Sequence, residues 1–147
     1  VRLFGKSGAY YYNVVRGIHH GEVKPNRIQK SVAVEHTFWD DINEDEELFS
    51  KLKILSEELE ARLSKREIKG KTLTLKIKYK DFTQYTRSRT QEVYYENAED
   101  FFETSKKLWE LRPYNKAIRL LGLSLSNLNT EEKKQISVQL KIPFEEF

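Results

Sequence analysis

KTLTLKIKYKDFTQYTRSRT, residues 71–90, is the stretch that decides the fold of this chain. Its first half alternates strictly between apolar side chains and side chains that carry a hydroxyl or an ammonium group. The apolar set is Leu73, Leu75, Ile77 and Tyr79. This period of two predicts a strand with one buried and one wet face, and a second polar strand follows a turn. Such strands suit phosphate oxygens, although lysines also serve simply to keep a sheet edge from aggregating.

The composition is that of one domain with a small attachment, since the chain has 147 residues, 38% hydrophobic and 33% charged. It has no apolar run near the ~18 residues of a membrane helix, and we expect no signal peptide. The absence of cysteine excludes disulfides and cysteine metal sites and fits a reducing cytosol. Because Val1 is not preceded by a methionine, we expect a piece of a longer protein.

The charge is unevenly distributed along the chain. Residues 64–91 contain nine basic side chains against two acidic ones, a balance of +7. Residues 40–60 contain nine acidic side chains against two basic ones, a balance of −7. A polyanion would be attracted to the first region and repelled by the second.

The N-terminal segment brackets Lys6 with Gly5 and Gly8 before a short helix that Gly17 closes. Glycines at this position let backbone N–H groups approach an anion, but an ordinary helix-entry turn explains them equally well. The adjacent histidines 19 and 20 have no ligand at metal-binding spacing, so we interpret them as surface residues.

The remaining elements follow from periodicity and capping signals. They are a strand at 30–38, a helix from an N-cap at Asn43 to near Gly70, the two strands of the opening stretch, a helix from an N-cap at Asn97 to before Pro113, and a strand at 118–128.

This order, β-α-β-β-α-β, predicts an α+β fold with a four-stranded sheet. Right-handed crossovers place both helices on one face and leave the other face open. We expect small, hydroxyl and basic residues on the open face, including the lysines and arginines of the opening stretch. The other members are Ser31, Ala33, Thr37, Thr72, Thr74, Gly122, Ser124 and Ser126.

No catalytic motif is present in the sequence. It contains no Walker A sequence, no G-x-S-x-G, no H-E-x-x-H and no cysteine nucleophile. We therefore expect no catalytic residues and no metal site in this piece.

The strand KSVAVEHTF, residues 30–38, resembles the KSxxxExTF strand that opens the little-finger domain of bacterial Y-family translesion DNA polymerases. Residues 70–82, 88–90 and 119–128 are similar to that domain's other three strands. Residues 4–8 and 17–18 resemble the end of the thumb's helix-hairpin-helix. The sequence departs from the family at Ala33-Val34, where Gly-Arg is usual, and this removes one expected phosphate contact.

The resemblance implies a division into a thumb remnant at 1–24, a linker at 25–29, a little finger at 30–128 and a tail at 129–147. It implies a monomer of the bacterial cytoplasm that grips primer-template duplex by its backbone, in DNA repair and error-prone lesion bypass. The palm, which holds the catalytic carboxylates and Mg²⁺, is absent, so this piece should be inactive and need no cofactor.

The predicted DNA-binding residues come from three places: the open face, residues 71–90 and the glycine-bracketed N-terminal segment. They are Gly5, Lys6, Gly8, Ser31, Thr37, Thr72, Thr74, Lys76, Lys78, Arg87, Ser88, Arg89, Thr90, Ser124 and Ser126.

The tail segment QLKIPF, residues 139–144, is similar to the Gln-Leu-x-Leu-x-Phe peptide by which bacterial polymerases dock on the sliding clamp. Such an extended peptide would place Leu140, Ile142 and Phe144 in apolar pockets, with Gln139 fixing the register. The alternative is an amphipathic tail that packs on its own domain.

Two other functions fit the same element order. One is an RNA-binding βαββαβ module, which would need aromatic side chains on its central strands to stack bases. The other is a protein-interaction scaffold that binds no nucleic acid.

Overall fold

A computed structural model describes residues 3–130, and the predicted β-α-β-β-α-β order is confirmed from Ser31 onward. A short 3-10 turn, Gly5–Ser7, precedes the first helix. The elements are α1 (Gly8–Val14), β1 (Ser31–Ile42), α2 (Asp45–Ser64), β2 (Gly70–Tyr79), β3 (Gln84–Thr90), α3 (Ala98–Trp109) and β4 (Ile118–Leu128).

The four strands form one antiparallel sheet in the order β1-β4-β2-β3. The connection through α2 passes over β4, and the connection through α3 passes over β2, so the two crossovers interlock. Helix α2 packs on β1 and β4, α3 packs on β2 and β3, and the helices contact each other. The predicted α+β class and the placement of both helices on one face are therefore confirmed.

The core lies between the helices and the apolar sides of β1, β2 and β4. The alternation in β2 is reproduced, because its apolar residues are fully buried and the residues between them are not. The leucine stripe of α2 is buried against the sheet, with Leu52, Leu55 and Leu59 at 0% exposure. Burying one such side chain stabilises the fold by roughly 1.5–3 kcal/mol. Val34, at the departure from the family sequence, also belongs to this core and not to the open face.

The helix termini match the predictions only in part. Asn97 caps α3 as predicted, since its side-chain oxygen accepts a hydrogen bond from the Asp100 backbone N–H at 3.0 Å. The predicted cap at Asn43 is wrong, because Glu44 occupies that position without a side-chain cap. The carboxylates in the first turn of α2 stabilise its positive dipole end instead. Gly17 closes α1 with a left-handed φ of 72°, as predicted.

The first strand is longer than predicted. Strand β1 extends to Ile42, and its pairing with β4 is interrupted between Thr37 and Ile42, where Trp39 projects with 99% exposure. Within the sheet, β3 is the opposite edge strand and pairs only with β2. Among residues 3–130, no helix is long and apolar enough to cross a membrane.

Candidate nucleic-acid interface

Four rows of side chains cross the open face, because residues paired in register on antiparallel strands point to the same side. Each row follows the order β1, β4, β2, β3. The rows are Ser31-Ser126-Thr72-Thr90, Ala33-Ser124-Thr74-Ser88, Glu35-Gly122-Lys76-Thr86 and Thr37-Leu120-Lys78-Gln84. Two rows of small, mostly hydroxyl side chains therefore lie at one end of the face, and the lysines lie at the other.

The structure brings ten of the predicted DNA-binding residues together on this face. They are Ser31, Thr37, Thr72, Thr74, Lys76, Lys78, Ser88, Thr90, Ser124 and Ser126.

Four hydroxyls of the first two rows, those on β2 and β3, are ordered by hydrogen bonds between the strands. Thr72 and Thr90 share one at 2.8 Å, and Thr74 and Ser88 share another at 2.8 Å. The Asn127 side-chain amide also donates to the Thr72 hydroxyl at 2.8 Å. In each pair only one hydroxyl proton is used between the partners, so the other remains available for an acceptor above the sheet. The β2–β3 side of this end of the face therefore presents two fixed, neutral hydroxyl pairs.

The third row contains an ion pair that was not predicted. The Lys76 ammonium donates to Glu35 at 2.8 Å, and both side chains are only partly exposed. Gly122 lies between them, and a Cβ at this position would stand 3.0 Å from the Glu35 Cβ. Glycine therefore makes room for the pair. The pair places the Glu35 carboxylate beside Lys76, which was expected to bind phosphate.

The predicted position of two arginines on the open face is wrong. Arg87 pairs with Leu75 and Arg89 pairs with Leu73, so both point to the side that carries the helices. The Arg87 guanidinium lies over the ring of Tyr85, at 4.8 Å from its centre. The residues between them, Ser88 and Thr90, are the ones that face outward. On the open face, β3 therefore presents hydroxyl groups and not guanidinium groups.

Beyond the fourth row, the β2–β3 turn carries further charge. The Lys78 ammonium lies 5.2 Å from the ring centre of Phe82, and the Lys116 ammonium donates to Asp81 at 2.7 Å. The hydrogen bond from Lys116 lowers the pKa of Asp81 to about 2, and hydrogen bonds from Thr83 add to this. Asp81 is therefore ionised at neutral pH.

The N-terminal candidates are not part of the open face. Gly5 and Lys6 lie in the 3-10 turn and Gly8 begins α1, and these two elements mainly contact each other. The predicted clamp-binding residues Gln139, Leu140, Ile142 and Phe144 lie outside the described residues.

Other sites weighed from the sequence find little support in residues 3–130. No group of three or more histidine, aspartate or glutamate side chains there is arranged to hold a metal ion. His19 accepts a hydrogen bond from the Gly21 backbone N–H at 3.1 Å and so forms part of a local turn.

On the open face, the central strands β2 and β4 present no aromatic residue, because Tyr79 is buried in the core. These two strands therefore do not supply the aromatic platform on which an RNA-binding module of this kind would stack bases.

The chain belongs to the impB/mucB/samB family, whose C-terminal domain matches residues 29–138. Two of its curated relatives are named as DNA polymerases. DNA polymerase IV 2 of Agrobacterium fabrum is 40% identical over 133 residues, covering 90% of this chain and 37% of the relative. DNA polymerase IV of Akkermansia muciniphila is 39% identical over 146 residues, covering 99% of this chain and 41% of the relative. The chain thus spans about two fifths of the length of these relatives.

A solved structure agrees with the family assignment. One chain in the complex of the beta-clamp processivity factor and the little finger domain of PolIV matches this fold with a TM-score of 0.61 and 29% sequence identity. The match covers 78% of this chain and 99% of the other. The predicted resemblance to a Y-family little-finger domain is confirmed.

Proposed function

We propose that the open face grips primer-template DNA through its sugar-phosphate backbone. The observation that carries this proposal is the pair of hydroxyl rows, which extends over all four strands. Hydroxyl donors contact phosphate oxygens and so position a duplex without reading its sequence. The small side chains let the duplex backbone come close to the sheet. The relatives are named as DNA polymerases, and this supports DNA as the ligand.

The test is a fluorescence anisotropy titration with two unrelated primer-template duplexes and an RNA duplex. We expect similar affinities for both DNA sequences, lower affinity as salt rises, and weaker binding to RNA. A double variant, Thr74→Val with Ser88→Ala, removes the hydrogen-bonded hydroxyls of the second row and should weaken duplex binding about fivefold, consistent with the loss of one or two hydrogen bonds. The control Ser50→Ala removes a hydroxyl that bonds the Glu46 carbonyl within α2. No duplex binding, or equal loss in the control, would contradict the proposal.

Within a longer protein, this domain would hold duplex DNA for a translesion polymerase that acts in damage tolerance. In this proposal, residues 3–130 would supply duplex binding and would not carry out nucleotidyl transfer. The carboxylates that hold Mg²⁺ would come from other parts of such a polymerase. A primer-extension assay of this chain alone should show no added nucleotide, while the same preparation binds the primer-template.

The tail would provide a second partner. The matched solved structure is a complex with a beta-clamp processivity factor, and residues 139–144 carry the apolar spacing of a clamp peptide. Deleting residues 139–147 should abolish binding to a bacterial sliding clamp in surface plasmon resonance and leave duplex affinity unchanged. Undiminished clamp binding by the shortened chain would show that the clamp contacts lie elsewhere.

A further inference from the structure

Phe82 has an unusual backbone for a bulky residue. It lies at the tip of the β2–β3 turn with a φ of 64°, in the left-handed region, and its side chain is 61% exposed. Bulky residues rarely adopt this conformation, because Cβ approaches the following carbonyl group. Such strain persists where the surrounding structure imposes it, and it concentrates at binding sites. The core does not require this ring, since most of its surface faces solvent.

The turn around Phe82 is held by several hydrogen bonds. The Phe82 backbone N–H donates to the Tyr79 carbonyl at 2.9 Å, and the Tyr79 N–H donates to the Thr83 carbonyl at 2.9 Å. Asp81 accepts a hydrogen bond from the Thr83 N–H at 3.0 Å and is fixed on its other oxygen by Lys116. The ring is therefore presented by a rigid support.

Two cations lie beside the ring. The Lys78 ammonium is 5.2 Å from the ring centre, and the central guanidinium carbon of Arg119 is 5.0 Å from it. Arg119 reaches this position because β4 has one extra residue here: Lys78 pairs with Leu120, whereas Tyr79 pairs with Ile118. An exposed ring with two adjacent cations suits a planar group that is attached to phosphate.

We propose that Phe82, with Lys78 and Arg119, forms a stacking site for an unpaired DNA base at the lysine end of the open face. Aromatic side chains stack on any base, and neighbouring cations contact the phosphates that flank it. A base inside a duplex has both faces covered by its neighbours, so the site selects a single-stranded extension. The proposal rests on the proposed duplex binding, since it extends that surface.

The test compares a blunt duplex with the same duplex carrying a short single-stranded extension that contains a fluorescent adenine analogue. Wild-type protein should bind the extended duplex about tenfold tighter and quench the analogue by stacking. Phe82→Leu and Phe82→Gly should lose both effects and keep their affinity for the blunt duplex within about twofold. The glycine variant adopts a positive φ without strain, so its thermal unfolding midpoint should equal or exceed that of the wild type. Trp39→Leu removes an exposed aromatic residue from the far edge of the sheet and serves as the control.

The outcomes separate the two proposals. The stacking site alone would be overturned if the wild type bound the blunt duplex tightly and showed no preference for the extended duplex. It would also be overturned if both Phe82 variants kept that preference. Absence of binding to either duplex would overturn the stacking site together with the duplex grip. Binding of an apolar peptide in place of the extended strand would reassign the ring to a protein contact.

Discussion

Glu35 is the residue on the open face whose charge opposes the binding of an anion. It holds the Lys76 ammonium at 2.8 Å, over the gap that Gly122 leaves in β4. Glu35→Gln should release Lys76 to a phosphate, tighten duplex binding about fivefold, and increase the magnitude of the log–log salt slope by about 1. Anisotropy titrations at several salt concentrations measure both quantities.

The matched control for this variant is Glu103→Gln. It removes the same charge from an ion pair with Lys106 on α3, on the opposite side of the sheet. It should change neither affinity nor slope beyond a small uniform effect. If Glu35→Gln bound duplex more weakly than the wild type, Glu35 would instead be a group that positions Lys76 for binding.

Lys78 and Arg87 differ in the face that they occupy, although both belong to the basic stretch. Lys78 lies in the fourth row of the open face, whereas Arg87 points to the helix side. Lys78→Gln should therefore reduce the salt slope by about 1, and Arg87→Gln should leave it unchanged. Equal effects of the two substitutions in parallel titrations would mean that the duplex wraps around the edge of the sheet.

At the scale of elements, the helix caps supply a direct test of the fold. Asn97→Ala removes the hydrogen bond to the Asp100 N–H at the start of α3 and should lower the free energy of unfolding by about 1 kcal/mol. Asn43→Ala changes a residue that precedes α2 without capping it and should stay within about 0.5 kcal/mol of the wild type. Urea unfolding followed by circular dichroism measures both. Similar losses in the two variants would show that Asn43 does cap α2.

The sequence predicts which face of a strand is buried only where apolar residues occupy one face and polar residues the other. In β2, apolar and polar residues alternate, so the buried face is evident from the sequence. In β3, Tyr85, Arg87 and Arg89 alternate with hydroxyl residues, and no apolar signal separates its two faces. The turn decides the register, and a shift of one residue exchanges the faces. The sequence does not specify the left-handed conformation of Phe82 in this turn, and it does not specify which face of β3 carries the arginines.

The ion pair between Glu35 and Lys76 was not predicted, and the reason is a related one. The sequence shows that Glu35 is on the polar side of β1, but β1 and β2 are separated by β4 in the sheet. Only the strand order and the missing side chain of Gly122 bring Glu35 to Lys76. Contacts across a sheet between strands that are distant in sequence depend on topology, which local periodicity does not specify.

At the scale of the molecule, the number of cations on the open face predicts how strongly duplex binding depends on salt. Of the four lysines and arginines of residues 71–90 that were predicted to bind DNA, Arg87 and Arg89 face away and Lys76 is paired with Glu35. Lys78 remains, and Arg119 adds a second cation beside Phe82. Two phosphate-neutralising cations give a log–log salt slope of about −2, whereas four would give about −3.6. Duplex titrations over a range of salt concentrations distinguish these values. A slope near about −3.6 would show that Lys76 leaves Glu35 when DNA binds. It would also show that the arginines of β3 turn toward the DNA backbone.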